Sequence, residues 1–272
     1  MKKSSWRGAA VYRKLAFTLA LIPMSWMIPA SASNDLCGTT IVDDLELHHD
    51  LTCSGDGLTI GADGIKVDLN GYTIAGADTG TGIIVTGRTN IRIFGGTIRN
   101  FQTGIRLFES SGVTISQNHI ANNTMDGIDL QAGSIDNTVK ENEIRDNVSR
   151  GIMLRSDTIR NTIKENTLSG NNVAILLFAP VNTTVKENVI TGSLLAGIRV
   201  RFTATGNVIK ENQVVSNPAG IEFLVSPTGS PASGNSLIEN SIMANICGLT
   251  GPTDGNTLEE NLFLGNDSDS CS

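Results

Sequence analysis

The residues best suited to chemistry are Arg106, Arg155, Arg199 and Arg201, the rings Phe108 and Phe178, the acids Asp126, Asp129 and Glu222, and the amide of Gln131. Arginine forks onto carboxylates and phosphates through two parallel hydrogen bonds. A phenylalanine ring offers a flat apolar face for stacking. A carboxylate held beside a cation can carry a proton. Combined, these groups suit removal of a proton α to a carboxylate, with Asp129 as general base or acid, Asp126 as the second carboxylate, and Arg155 stabilising the charge that develops. Arg106, Phe108, Gln131, Phe178, Arg199, Arg201 and Glu222 would then form the substrate-binding surface around that trio.

What brings these residues onto one surface is a repeat. A short segment of Gly-Ile, one variable residue and one apolar residue starts at Gly82, Gly104, Gly127, Gly151, Ala174, Gly197 and Gly220, at spacings of 22, 23, 24, 23, 23 and 23 residues. The variable residue and the one two places on share a face, because side chains alternate along a strand. A second segment recurs between the first: Thr138-Val-Lys-Glu-Asn142, Thr162-Ile-Lys-Glu-Asn166, Thr184-Val-Lys-Glu-Asn188 and Val208-Ile-Lys-Glu-Asn212, with weaker copies ending at Asn118, Asn240 and Asn261. Self-similarity at this period marks a solenoid. A leucine-rich repeat needs a returning helix, and no window here is long enough for a helix without meeting Gly or Asn. Ile, Val and Thr dominate instead, so each period reads as separate short strands joined by tight bends.

The fold class read from this pattern is all-β, a right-handed single-stranded parallel β-helix of about ten coils of 22–24 residues. Adjacent coils lie about 4.8 Å apart, giving a rod of roughly 50 Å. Asn118, Asn142, Asn166, Asn188 and Asn212 then read as an internal ladder, each amide bonding its own bend and the next coil. Lys140, Lys164, Lys186 and Lys210 form an outward row in which each lysine is followed by a glutamate, a compensated arrangement that also discourages edge pairing.

Residues 1–32 read as a signal peptide: a basic start, an apolar stretch from Leu15 to Pro29, and Ala30-Ser31-Ala32 as the cleavage site. The single domain is then 33–272, with a cap and first coil at 33–60 and a C-terminal cap at 245–272. Five of the 20 bases and none of the 27 acids fall in the first 32 residues, so the remainder carries a net charge of −12. That balance argues against nucleic acid as a partner and, once the signal is removed, against a membrane. Export, to the periplasm or beyond the cell, makes the four cysteines disulfides. A solenoid keeps its ends apart, which leaves Cys37 with Cys53 and Cys247 with Cys271. Alternation lets at most one or two of His48, His49 and Asp50 share a face, His119 stands several coils away and no Met or Cys cluster joins them, so no metal site is expected; no cofactor is expected either, with calcium the one ion left open.

The coil pattern N-x-I-x-x-N with G-I-x-L, together with the opening Cys37-Gly-Thr-Thr-Ile41, Asp50-Leu-Thr-Cys53 and Val67-Asp-Leu-Asn-Gly-Tyr-Thr-Ile74, resembles the exported right-handed parallel β-helix repeat proteins. That group includes NosD-like periplasmic proteins and pectin- or alginate-acting enzymes. The resemblance covers 36–265 and implies that the Gly-Ile strands line a polysaccharide groove. The expected function is binding of an anionic polysaccharide, such as one containing uronates, with lyase- or epimerase-like modification as its catalytic extension. Against catalysis, the three clustered Asp of a pectin hydrolase and the Asp-Pro-His-Glu motif of alginate epimerases are missing. The alternative is a non-catalytic periplasmic or cell-surface structural or interaction protein. In that case Asp129 would pair with Arg106 one coil away and Glu222 with Arg199, while Arg155, Phe178 and Arg201 would stack as cations on a ring. The residues do not fix the oligomeric state.

Overall fold

The structure is a computed structural model that describes residues 36–227 and 229–271; the segment read as a signal peptide lies outside the described residues. Every described regular element is a strand, and all strand pairs are parallel. Each coil contributes one strand to each of three sheets. Neighbours within a sheet are therefore three strands apart in sequence, and the sheets contain eleven, ten and ten strands. The chain is a parallel β-helix.

The first sheet is built from the Gly-Ile segments, in strands such as Thr103–Phe108, Asp126–Leu130, Arg150–Leu154, Val173–Phe178 and Ala196–Arg201. These five- and six-residue strands are the longest among the described residues, and they form the long-strand sheet. The Lys-Glu segments form the second sheet, for example Thr138–Lys140 and Thr162–Lys164. The third is made of equally short strands such as Glu143–Arg145 and Thr167–Ser169.

Register is set by columns of like residues. Ile105, Ile128, Ile152, Ile175, Ile198 and Ile221 face one another strand by strand in the long-strand sheet and are fully buried. Ile115, Val139, Ile163, Val185 and Ile209 do the same in the second sheet, and Ile120, Ile144, Leu168, Ile190 and Val214 in the third. Each such side chain contributes roughly 1.5–3 kcal/mol relative to exposure. A slip of one residue would turn a whole column outward, so the register is strongly specified.

The repeated glycine has a steric cause. A Cβ at Gly127 would lie 2.6 Å from the Gly151 carbonyl oxygen and 3.0 Å from both Asn147 Nδ2 and Ile144 Cγ2. The strand entry is thus pressed against the next coil and the third sheet's core. Alternation is broken there, and the residue before the glycine as well as the one two after it end up on the outer face.

The bends are held by three columns of amides where the sequence repeat pointed to one. In the first, Asn142 N–H and Nδ2 both donate to Asn166 Oδ1 at 3.0 Å, while Nδ2 also donates to Ile115 O and Lys140 O. The column extends from Asn118 through Asn188 and Asn212 to Asn240 and Asn261. The second runs through Asn123, Asn147 and Asn171 and resumes at Asn217, Asn245 and Asn266, with Ser193 at the gap. The third links Asn137 to Asn161 and Asn207 to Asn235 and Asn256, with Thr183 between. Buried backbone groups at sharp bends must find partners, and an amide that both donates and accepts serves two coils at once.

In the Lys-Glu segments, Glu141, Glu165, Glu187 and Glu211 adopt φ of 55–56°. This left-handed turn places each carboxylate beside the preceding lysine, at 2.8, 3.3, 3.2 and 3.1 Å in successive coils. Lys140 thereby holds the Glu141 carboxyl below its ordinary range, and Lys186 does the same for Glu187. Disulfides join Cys37 to Cys53 and Cys247 to Cys271, one near each end of the described coils.

Candidate functional site

The outer face of the long-strand sheet carries most of the residues singled out in the sequence. Register places Arg106 opposite Asp129, then Met153, Leu176, Arg199 and Glu222 in succession. A parallel column at the strand entry runs Thr103, Asp126, Arg150, Val173, Ala196 and Ala219.

Asp126, Asp129 and Arg155 come together, and Gln131 joins them. Arg155 Nε donates to Asp129 Oδ1 at 2.9 Å and its Nη2 to Asp129 Oδ2 at 3.1 Å, a forked contact. Gln131 Nε2 donates to Asp129 Oδ2 at 2.8 Å. Arg155 Nη2 also stands 4.0 Å from Asp126 Oδ2. The Asp129 hydrogen bonds raise the Arg155 pKa further. Asp129 is thus answered from the following coil, by Arg155, and not by Arg106 on the preceding one.

The strand-entry column adds a residue that sequence reasoning missed. Arg150 lies directly across from Asp126, with Nε 2.7 Å from Asp126 Oδ1 and Nη2 donating to Oδ2 at 3.0 Å. Asp126 is only 1% exposed. Burial pushes its carboxyl above the ordinary range, and Arg150 pulls in the opposite direction with the smaller effect. The signal for Arg150 was available in the sequence as the residue preceding each repeated glycine. It was overlooked because strict alternation assigns that position to the interior.

The two acids and two arginines form a charge-balanced cluster spanning adjacent coils. Further along the face, Arg199 pairs with Glu222 directly across from it. Arg201 sits over two rings, 5.8 Å from the Phe178 centroid and 4.8 Å from that of Phe202, and the rings meet edge to face at 4.5 Å. Arg155 takes no part in that stack. Arg106 and Arg201 have no ion pair among the described residues, and the Nε of each is buried without a hydrogen-bond partner.

Between Phe108 and Phe178 lies an open depression of about 350 Å³ whose lining includes Gln131, Met153, Arg155 and Asp157. Its floor is apolar where strict outward exposure would predict polar residues. Met153, Val173, Leu176 and Ala196 are buried together, with Phe178 packed against them. Elsewhere, His119 Nδ1 contacts Glu143 at 2.8 Å on an exposed part of the third sheet. Among the described residues no group of three or more His, Cys, Asp or Glu is placed to hold a metal ion.

Residues 48–217 and 155–270 match the model of the family described as periplasmic copper-binding protein (NosD). The chain belongs to this family. No curated protein matches it at a significant level. Among solved structures it resembles an alginate lyase from Paenibacillus sp. str. FPU-7, at TM-score 0.61 and 16% identity, over 84% of this chain and 91% of that one. It also resembles the periplasmic alginate epimerase AlgG, at TM-score 0.60 and 16% identity, over 82% of this chain and 62% of that one. The Dettilon tailspike protein matches at TM-score 0.56 and 14% identity, covering 83% and 60% of the two chains. At such identities the likeness establishes the fold, since unrelated activities share this architecture. Membership of a periplasmic family and two disulfides are consistent with export.

Proposed function

We propose that this chain is an exported, periplasmic protein that binds an anionic polysaccharide lengthwise along the outer face of its long-strand sheet. The observation that carries the reading is the depression between Phe108 and Phe178, with an apolar floor and Gln131 and Arg155 in its lining. Rings and apolar side chains suit the flat faces of pyranoses, while amides and guanidinium groups suit hydroxyls and acids. An extended coil face also suits an extended polymer. The neighbours in fold support the class of ligand: one is an alginate lyase, another an alginate epimerase.

Binding is favoured over turnover by the state of the two carboxylates. Asp129 accepts hydrogen bonds from Arg155 and Gln131, and Asp126 is buried against Arg150. Neither stands free to take a substrate proton, and Arg155 is already committed to Asp129. In this arrangement Asp126, Asp129, Arg150 and Arg155 stiffen the floor of the groove and present the outer edge of Arg155 to the ligand.

Copper, which the family description names, has a poor donor set here. The four cysteines are disulfide-bonded, and among the described residues no three His, Cys, Asp or Glu side chains are gathered to hold a metal ion. Copper prefers thiolate, thioether and imidazole groups brought together, so no part of the present reading runs through a metal.

The test is binding of the purified protein to an array of anionic glycans, with Phe178→Ala and Phe108→Ala compared to the unaltered protein. Each loss of a stacking ring should weaken binding about fivefold. Binding that ignores both substitutions would remove the groove from consideration. Absorbance of unsaturated uronate should stay flat over long incubation with every bound glycan; its appearance would make the face catalytic.

A further inference from the structure

The charges on this face are distributed unevenly along the coil axis. Asp126 and Asp129 are matched by Arg150 and Arg155, and Glu222 by Arg199. Arg106 and Arg201 alone among the arginines of the face lack an ion pair among the described residues. They lie at opposite ends of the depression: Arg106 is on the strand of Phe108, and Arg201 sits over Phe178. Following the register from Arg106 through Asp129, Met153 and Leu176 to Arg199, on the strand that also carries Arg201, takes four coil steps. At the coil spacing that is about 19 Å.

Among the described residues lining the depression between the two cations, the one guanidinium, Arg155, is already forked onto Asp129. Met153 lines the depression and packs with Leu176 in a buried apolar cluster, and the exposed Asp157 carboxylate lines the same depression with no ion pair among the described residues. A pyranose in an extended 1,4-linked chain advances by roughly one coil spacing, so a chain laid lengthwise sets about one sugar on each coil. A polymer with an acid on every sugar would press its middle carboxylates onto apolar side chains and towards Asp157. Both contacts are unfavourable, the first by lost hydration and the second by like charge.

Resting on the polysaccharide reading above, we infer that this face selects a heteropolysaccharide whose acid groups recur about once in four sugars, rather than a uniformly charged uronate homopolymer. Neutral sugars occupy the stretch from Phe108 over Met153 to Phe178. Arg106 and Arg201 are the residues that determine this specificity, acting as two fixed points for charge.

Calorimetric titration of the unaltered protein with 1,4-galacturonans of graded methyl esterification tests the charge spacing directly. Polymer keeping about one free carboxylate in four, the interval set by the coil count, should bind at least tenfold tighter than fully de-esterified polymer. The double substitution Arg106→Gln and Arg201→Gln should reduce that affinity to the level of the fully esterified polymer, with circular dichroism confirming the fold. Equal or tighter binding of the fully charged polymer overturns the spacing and leaves the groove reading standing. Failure of all three polymers to bind overturns both. The polymer series needs no variant, so a misfolded substitution cannot protect the inference.

Discussion

Two outer surfaces of the same coil solve the problem of stacked charge in opposite ways. On the Lys-Glu sheet, Lys140, Lys164, Lys186 and Lys210 lie in one in-register column, with each ammonium neutralised by the glutamate next to it in the same coil. On the long-strand sheet, Asp126 and Asp129 are neutralised by Arg150 and Arg155 from the following coil. Compensation within a coil is self-contained, so that coil can be repeated without change. Compensation between coils demands different residues in adjacent repeats and so fixes particular coils in place. The second surface is also the drier one: Asp126 and Asp129 are 1% and 2% exposed, whereas the Lys-Glu pairs stand in water. Electrostatic contacts gain weight where water is excluded, and so does the cost of breaking them.

That contrast can be broken at its strongest point with Arg150→Ala. The substitution leaves the Asp126 carboxylate buried with only Arg155 nearby at 4.0 Å, and should cost about 3 kcal/mol in urea unfolding at pH 7. Its pH dependence gives the sign. Burial already raises the Asp126 pKa above 3.8, and removal of the arginine raises it further. A raised folded-state pKa means stability is gained as pH falls through that value and is complete below 3.8. The deficit of the variant should therefore shrink on acidification; a constant deficit would mean that Arg150 acts by packing alone.

A smaller effect is expected inside the coil. Asn166→Ala removes the acceptor for the Asn142 N–H and the donor to Val139 O and Lys164 O, and should cost roughly 1–3 kcal/mol. Hydrogen exchange should show the loss of protection centred on the two flanking coils, as expected when nearest neighbours carry the stability of a solenoid. An even loss along the whole rod would contradict the ladder's local role. The smallest effect belongs to the Lys-Glu sheet: Lys164→Ala should leave the Tm unchanged within measurement error, because exposed pairs contribute little. A marked drop would erase the distinction between the two surfaces.

How legible each part was in the sequence follows from the same contrast. The Lys-Glu-Asn segments repeat nearly verbatim, so the coil length, the first amide ladder and the inward Ile and Val columns could be read directly. The second and third ladders were hidden because Ser193 and Thr183 interrupt them and their flanking residues vary. Arg106, Asp129 and Glu222 could be placed on one face by counting from each glycine. Their partners could not be chosen that way, because Asp129 has cations one coil to either side. Arg155 prevails because it lies just past the end of its strand, where the guanidinium can reach back across the coil.

The sequence by itself determined that this chain is a coiled solenoid, since a 22–24-residue period with two apolar segments and no helix-length window allows little else. It also determined which sheet carries the non-repeating residues. Only the tertiary structure decided which of those residues remain available. The crowded strand entry beside Gly127 turns Asp126 and Arg150 outward, the acids and arginines at the centre pair with one another, and Arg106 and Arg201, the latter over two rings, are left without an ion pair among the described residues. The physical reason is that spacing along a chain fixes which coil and face a side chain occupies, whereas charge pairing is settled by a competition among neighbours that exist only once the coils are stacked.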